Sequence, residues 1–115
     1  MASRKPGIIQ GTLDLLILRT LTFGPLHGHG IVKHIKSISD DVLSVEHGSL
    51  YPALQRLEKL GCISSAWEEA AGGRDMRLYR LTPKGRAQLR VEASRWEALA
   101  GAMARLLAPS KARPS

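Results

Sequence analysis

Thiol is almost absent from this chain: Cys62 is the single cysteine. One thiol closes no disulfide within a chain and builds no zinc ribbon, which fits a protein kept in a reducing cytoplasm. Long apolar runs are missing too. The leucine-rich stretch near the start is interrupted by Asp14 and Arg19. No small-residue cleavage site follows it, and nothing approaches the ~20 apolar residues of a membrane helix, so neither a signal peptide nor a membrane span is expected. The chain also lacks a phosphate-cradling glycine loop, a nucleophile elbow and a paired-carboxylate arrangement. Its motifs therefore assemble no reacting centre, and neither an enzyme activity nor a cofactor is expected. The last shortage is acid, with 10 Asp and Glu against 17 Lys and Arg and a formal charge of +7. That imbalance favours a polyanionic partner, nucleic acid first.

What is present reads as one compact unit of 115 residues, mainly α with a small β-hairpin. A first helix is expected from Thr12 as N-cap to the Gly24-Pro25 stop. At about 100° per residue, Leu13, Leu16, Ile17 and Leu21 form one stripe while Leu15 and Leu18 project from the other side. A helix apolar on two sides needs two partners, either a core and a second subunit or one enclosing domain. After the turn His27-Gly28-His29-Gly30, a short amphipathic second helix carries Ile31, Ile35 and Ile38. Leu43-Ser44-Val45 is expected to be a very short strand.

The third helix holds most of the information. Pro52 is tolerated only close to a helix start, which sets that start at or just before Ser49, and Gly61 ends the helix. Leu50, Ala53, Leu54, Leu57 and Leu60 share one face, Gln55 and Lys59 stand opposite, and Tyr51, Pro52 and Arg56 flank the stripe. Beyond it, Cys62 to Glu69 and Met76 to Leu81 read as two strands around a Gly72-Gly73 loop. The returning half is basic: Arg74, Arg77, Arg80, Lys84, Arg86 and Arg90 are opposed by Asp75 alone. Thr82-Pro83 then marks the start of a last helix running to about Ala108. Leu89, Trp96 and Met103 recur every seven residues, with Leu99 and Leu106 three after the last two. This is a coiled-coil-like seam, less regular where Glu92 replaces an apolar residue. The expected divisions are 10–82 for the body, 83–108 for a dimerisation helix, and flexible basic tails at 1–9 and 109–115.

Helix, helix, polar-faced helix, hairpin and long helix is an order with the physical logic of DNA docking. A major groove admits one α-helix that buries one face in its own domain and turns a polar face to base edges and phosphates. The third helix has that division, and a basic hairpin beside it is suited to neighbouring phosphates or the minor groove.

The run Gly48-Ser49-Leu50-Tyr51-Pro52-Ala53-Leu54, Arg56-Leu57-Glu58-Lys59-Leu60-Gly61, then Arg74, Tyr79-Arg80-Leu81-Thr82 and Gly85, with the Gly24-Pro25-Leu26-His27-Gly28 turn, closely resembles PadR-like transcriptional regulators. The resemblance covers nearly the whole chain, departing at His29, where many relatives have tyrosine. It implies a winged helix-turn-helix repressor that dimerises through its C-terminal helix. In some PadR-like proteins aromatic side chains of the terminal helices line a ligand pore between subunits, and the resemblance implies that role here for Trp96.

The expected DNA contacts are Ser49, Tyr51, Pro52, Gln55, Arg56, Lys59, Arg74 and Arg77. Each has a plainer alternative. Tyr51 packs on the hairpin instead, Arg56 is held by Glu58 or an acidic loop, and Arg74 and Arg77 lie on a solvated charged strand. A Gln amide can read adenine bidentately, whereas Lys59 is suited to phosphate. Leu15, Leu18, Leu89, Trp96, Leu99, Met103 and Leu106 are the expected dimer interface. His27, His29, His34, His47 and Cys62 are not read as a metal site, because the glycines among them suffice to start a helix and Cys62 sits in an apolar strand. The expectation is therefore a homodimeric regulator on a palindromic operator, released by a small molecule or another signal. The alternative is a helical protein–protein adaptor without sequence-specific DNA binding.

Overall fold

The computed structural model describes residues 10–69 and 75–109, in the order α1 (Gln10–Thr20), a 3₁₀ turn (Leu21–Phe23), β1 (Leu26–His27), α2 (Gly28–Ile38), α3 (His47–Lys59), β2 (Ile63–Glu69), β3 (Asp75–Leu81) and α4 (Pro83–Leu107). The tail segments 1–9 and 110–115 and the expected wing cation Arg74 lie outside the described residues. Pro109 is exposed just beyond α4. Among the described residues no helix is long and apolar enough to cross a membrane.

Three helices wrap one core. Ile17, Leu18, Ile31, Leu50, Leu54 and Ile63 are its largest fully enclosed side chains, and Leu13, Leu21, Ile35, Leu57 and Tyr79 are among those buried with them. Helix α1 begins at Gln10, two residues before the expected Thr12 cap. Leu18 was expected at a subunit interface, but it is 0% exposed within its own chain. The second apolar side of α1 is filled internally, partly by α4, which packs against it. Leu15 on the same helix is half-buried.

Two further expectations change for tertiary reasons. Leu43 to Val45 forms no strand, and Val45 drops into the core from an irregular segment. A strand appears instead at Leu26–His27, where it pairs antiparallel with β3 at Tyr79 and Leu78. The hairpin is thus the larger part of a three-stranded sheet in the order β1-β3-β2. Its β2 and β3 are in register from Ile63 opposite Leu81 to Glu69 opposite Asp75.

Helix α3 starts at His47 with Glu46 as its cap residue, which places Pro52 inside the second turn. Proline there removes one intrahelical donor bond to the Gly48 carbonyl, an interruption the helix absorbs through the burial of Leu50, Ala53, Leu54 and Leu57. Its end is a Schellman closure: Cys62 N–H donates to Leu57 O at 2.9 Å and Gly61 N–H to Glu58 O at 3.0 Å, with Gly61 at φ 80°.

Helix α4 is stitched to that end. Thr82 Oγ1 accepts from Gly85 N and donates to Gly61 O, while Lys84 Nζ donates to the Leu60 carbonyl. Gly85 lies so close to the Cys62 carbonyl that a Cβ would stand 2.0 Å from its oxygen. Only the start of α4, to half-buried Leu89, touches the core. The remainder projects from the body, and the radius of gyration is 17.2 Å, against roughly 13 Å for a compact chain of this length.

Candidate nucleic-acid interface

The 3.6-residue repeat divides α3 into two surfaces. Inward are the buried Leu50, Ala53, Leu54 and Leu57. Outward, His47, Tyr51, Gln55 and Lys59 stand four residues apart and are all exposed, forming one continuous ridge. Ser49 and Pro52 are exposed beside it. The ridge carries an imidazole, a phenol, an amide and an ammonium, groups able to donate to base edges or phosphates.

Tyr51 is 46% exposed, and its ring lies over the start of α2. A Cβ at Gly28 would come within 2.8 Å of the Tyr51 hydroxyl. Glycine at that position is therefore what lets the two helices of the turn approach with the phenol between them. The Tyr51 ring also stacks on His47 at 6.1 Å. It packs on α2 and α3 and remains half open to solvent.

The two arginines expected at the interface are held by acids. Arg56 pairs with Asp14 of α1, not with Glu58 or a loop. The pairing residue lies 42 positions away in sequence. Arg77 on β3 donates from Nε to Ser65 Oγ at 2.9 Å, Ser65 donates to Glu58 Oε2 at 2.7 Å, and the guanidinium lies 3.8 Å from the same carboxylate. The Arg77 guanidinium also covers the face of Trp67, 5.1 Å from the ring centre. Together Glu58, Ser65, Arg77 and Trp67 tie the recognition-type helix to both strands of the hairpin. Tyr79 lies beneath this link, and burial raises its phenol above the ordinary value, with the Arg77 guanidinium pulling the other way.

An open groove runs between α3 and the sheet, lined by Tyr51, Pro52, Gln55, Lys59 and the held Arg56 and Arg77. Lys59 and Gln55 have no hydrogen-bonding or ionic partner among the described side chains. The histidines do not converge. His27 meets Glu68 at 3.1 Å, His34 packs on Phe23, and His29 stacks on His47. Cys62 is buried.

On α4 the apolar seam faces solvent in the single chain. Trp96 is 44% exposed, Leu99 60% and Leu106 78%, and Met103 is similarly open. Glu92, at the irregular position of the seam, is held on its own helix by Gln88 at 2.8 Å and Arg95 at 3.8 Å.

The profile of the transcriptional regulator PadR-like family matches residues 17–91, the span from α1 through the first turns of α4. The chain belongs to the PadR-like family of transcriptional regulators. This PadR-like chain is 45% identical over 91 residues to the transcriptional regulator Rv3488 of Mycobacterium tuberculosis, covering 79% of this chain and 81% of that one. Its fold is similar to that of a transcriptional regulator from Clostridium thermocellum, with a TM-score of 0.79 at 29% identity over 86% of this chain and 93% of the other. A PadR family transcriptional regulator from Eggerthella lenta matches at 32% identity with a TM-score of 0.72, covering 88% of this chain and 86% of that one. The winged-helix architecture expected from the sequence thus holds, and the PadR-like assignment carries DNA binding with it as the family's activity.

The outward ridge and the α4 seam were legible from spacing alone. The partners of Arg56 and Arg77 were not, since Asp14 reaches Arg56, and Glu58 and Ser65 reach Arg77, only through the fold. His47 was missed because the expected helix start excluded it, although its four-residue spacing from Tyr51 was visible.

Proposed function

We propose that this PadR-like protein is a repressor that binds a palindromic operator as a homodimer. The exposed ridge of α3 enters the major groove, with Ser49, Tyr51, Pro52, Gln55 and Lys59 as its contact residues. Gln55 reads a base edge and Lys59 neutralises a phosphate, because an amide offers paired donor and acceptor whereas an ammonium offers charge. The hairpin, with Arg74 near its tip, follows the adjacent backbone. Arg56 and Arg77 act from behind, fixing α3 against α1 and the hairpin through Asp14 and Glu58.

One observation supports this reading above the others: the apolar face of α3 is sealed in the core while its polar ridge stands free. The exposed seam of α4 supports pairing with a second copy, in which Trp96, Leu99, Met103 and Leu106 become a shared core. Release follows when a small molecule or another signal changes the distance between the two ridges, with Trp96 at the subunit junction as the residue such a ligand meets. The regulator works in the cytoplasm, where its DNA is.

Lys59→Ala and Gln55→Ala separate the two roles. Lys59→Ala is expected to weaken binding to every duplex and to lower the slope of log affinity against log salt by about 0.9. Gln55→Ala is expected to relax base preference at one position, worth about 1–3 kcal/mol, and to leave the slope unchanged. Identical effects of the two changes contradict the division. An adaptor role also draws on the exposed α4 seam; it is favoured if both variants, and Arg74→Ala with them, leave function unaltered.

A further inference from the structure

Two imidazoles extend the α3 ridge beyond the residues assigned above. His47 heads the ridge, in the first turn of α3, and stacks on Tyr51 with ring centres 6.1 Å apart and planes 22° apart. His29, in the first turn of α2, stacks on the other face of the row at 6.1 Å from His47 and only 10° from parallel. Both are exposed. The row His29, His47, Tyr51 therefore joins the starts of the two helices on the surface that carries Gln55 and Lys59.

Nothing among the described residues accounts for this pair. Among the described residues neither imidazole hydrogen-bonds or pairs with a carboxylate, in contrast to His27, which is engaged by Glu68 of β2. The charged and titratable neighbours are few. Tyr51 closes the row on α3, Glu46 precedes His47, Lys33 lies one turn beyond His29 on α2, and the His27–Glu68 pair from the sheet edge precedes His29. With a proton on each ring, the two exposed imidazoles present adjacent cationic N–H donors to an anion from outside.

We propose that His29 and His47 together form a DNA-phosphate contact that engages in the protonated state, so that duplex binding takes up protons. The inference rests on the DNA-binding reading of the α3 ridge and adds a backbone subsite to it. Its signature follows from linkage. Phosphate favours the imidazolium, the bound state holds more protons than the free state, and affinity is therefore greatest at low pH and falls as pH rises through the neutral range.

The test is DNA affinity of the full chain, measured from about pH 5 to about pH 8 at constant ionic strength, on a fixed duplex. The wild type is expected to weaken about tenfold or more across the range. His29→Gln and His47→Gln are each expected to remove part of that dependence and the double variant nearly all of it, while His34→Gln and His27→Gln keep it. Magnetic resonance of the imidazole protons provides a second readout that needs no variant: the titration midpoints of His29 and His47 move upward when duplex is added. A wild type that binds with no pH dependence, a double variant that keeps the dependence, or midpoints unmoved by DNA overturns the phosphate contact. Absence of saturable duplex binding at every pH is a different result, and contradicts the DNA-binding reading itself.

Discussion

The body and the distal half of α4 are built on opposite terms. Every large residue of the apolar stripe on α3 up to Leu57 is sealed inside the body, and Leu18 of α1 is sealed with them. On α4 the seam residues beyond Leu89 remain open, although Leu89, Trp96 and Met103 recur every seven residues. An apolar face that folding leaves uncovered is a demand for a partner. The lesson is that periodicity in sequence shows that a face will be covered without showing by what. Leu18 and Leu99 look alike in sequence, yet one is satisfied within the chain and the other is not.

The comparison breaks most completely at the joint between the two regions. Gly85→Ala places a methyl against the Cys62 carbonyl, and the required backbone shift is expected to cost about 3 kcal/mol. Thermal melting should fall by about 10 °C or more. A melting point near that of the wild type would show that α4 is not anchored there.

The next effect concerns the open half. Leu99→Asp charges the exposed seam and is expected to leave the melting of the monomeric body nearly unchanged while shifting the chain to monomer in light scattering. Affinity for a two-half-site operator should then fall about 100-fold, because simultaneous engagement is lost. An unchanged dimer would place the subunit contact elsewhere.

A smaller change sharpens the account of the body. Glu58→Gln loosens the link among Ser65, Arg77 and the hairpin. If Arg77 braces the wing, operator affinity falls by about threefold to tenfold with the salt slope unaltered. If Arg77 contacts phosphate directly, freeing it from the carboxylate raises affinity instead. The sign of the effect decides between them.

The smallest expected effect is stabilising. Asp40 closes α2 at φ 51°, where its N–H donates to Ser37 O and the N–H of Asp41 to Lys36 O. This is a Schellman closure with aspartate where glycine fits best. Asp40→Gly is expected to stabilise the body by about 1 kcal/mol in denaturant titration. A loss of stability would mean that the aspartate side chain contributes more than its backbone strain costs.

These residues also show what was legible in advance. Local chemistry carried far: Thr82-Pro83 started α4 where capping rules place it, and the two strands of the hairpin and the α3 stripe as far as Leu57 followed from their periods, whereas Leu60, expected on the same face, is 53% exposed. What failed was decided at a distance. The strand at Leu26–His27 exists because β3 offers it an edge, and Val45 is buried without belonging to a strand. Pro52 was read as a first-turn residue because the local cost of a later position is high. The buried leucines of α3 outweigh that cost, and the earlier start of the helix brings His47 onto the ridge. In the candidate interface, Tyr51, Gln55 and Lys59 fell on the outward side by spacing alone, whereas the restraint of Arg56 by Asp14 needed the fold.

Selection of bound fragments from a random duplex pool, at a stated salt concentration, tests the central claim most directly. A symmetric pair of α3 ridges should enrich an inverted repeat whose half-sites lie one helical turn, about 34 Å, apart. A pool that shows no enrichment, or enriches only a single isolated half-site, contradicts a paired reading of DNA through the α3 ridge.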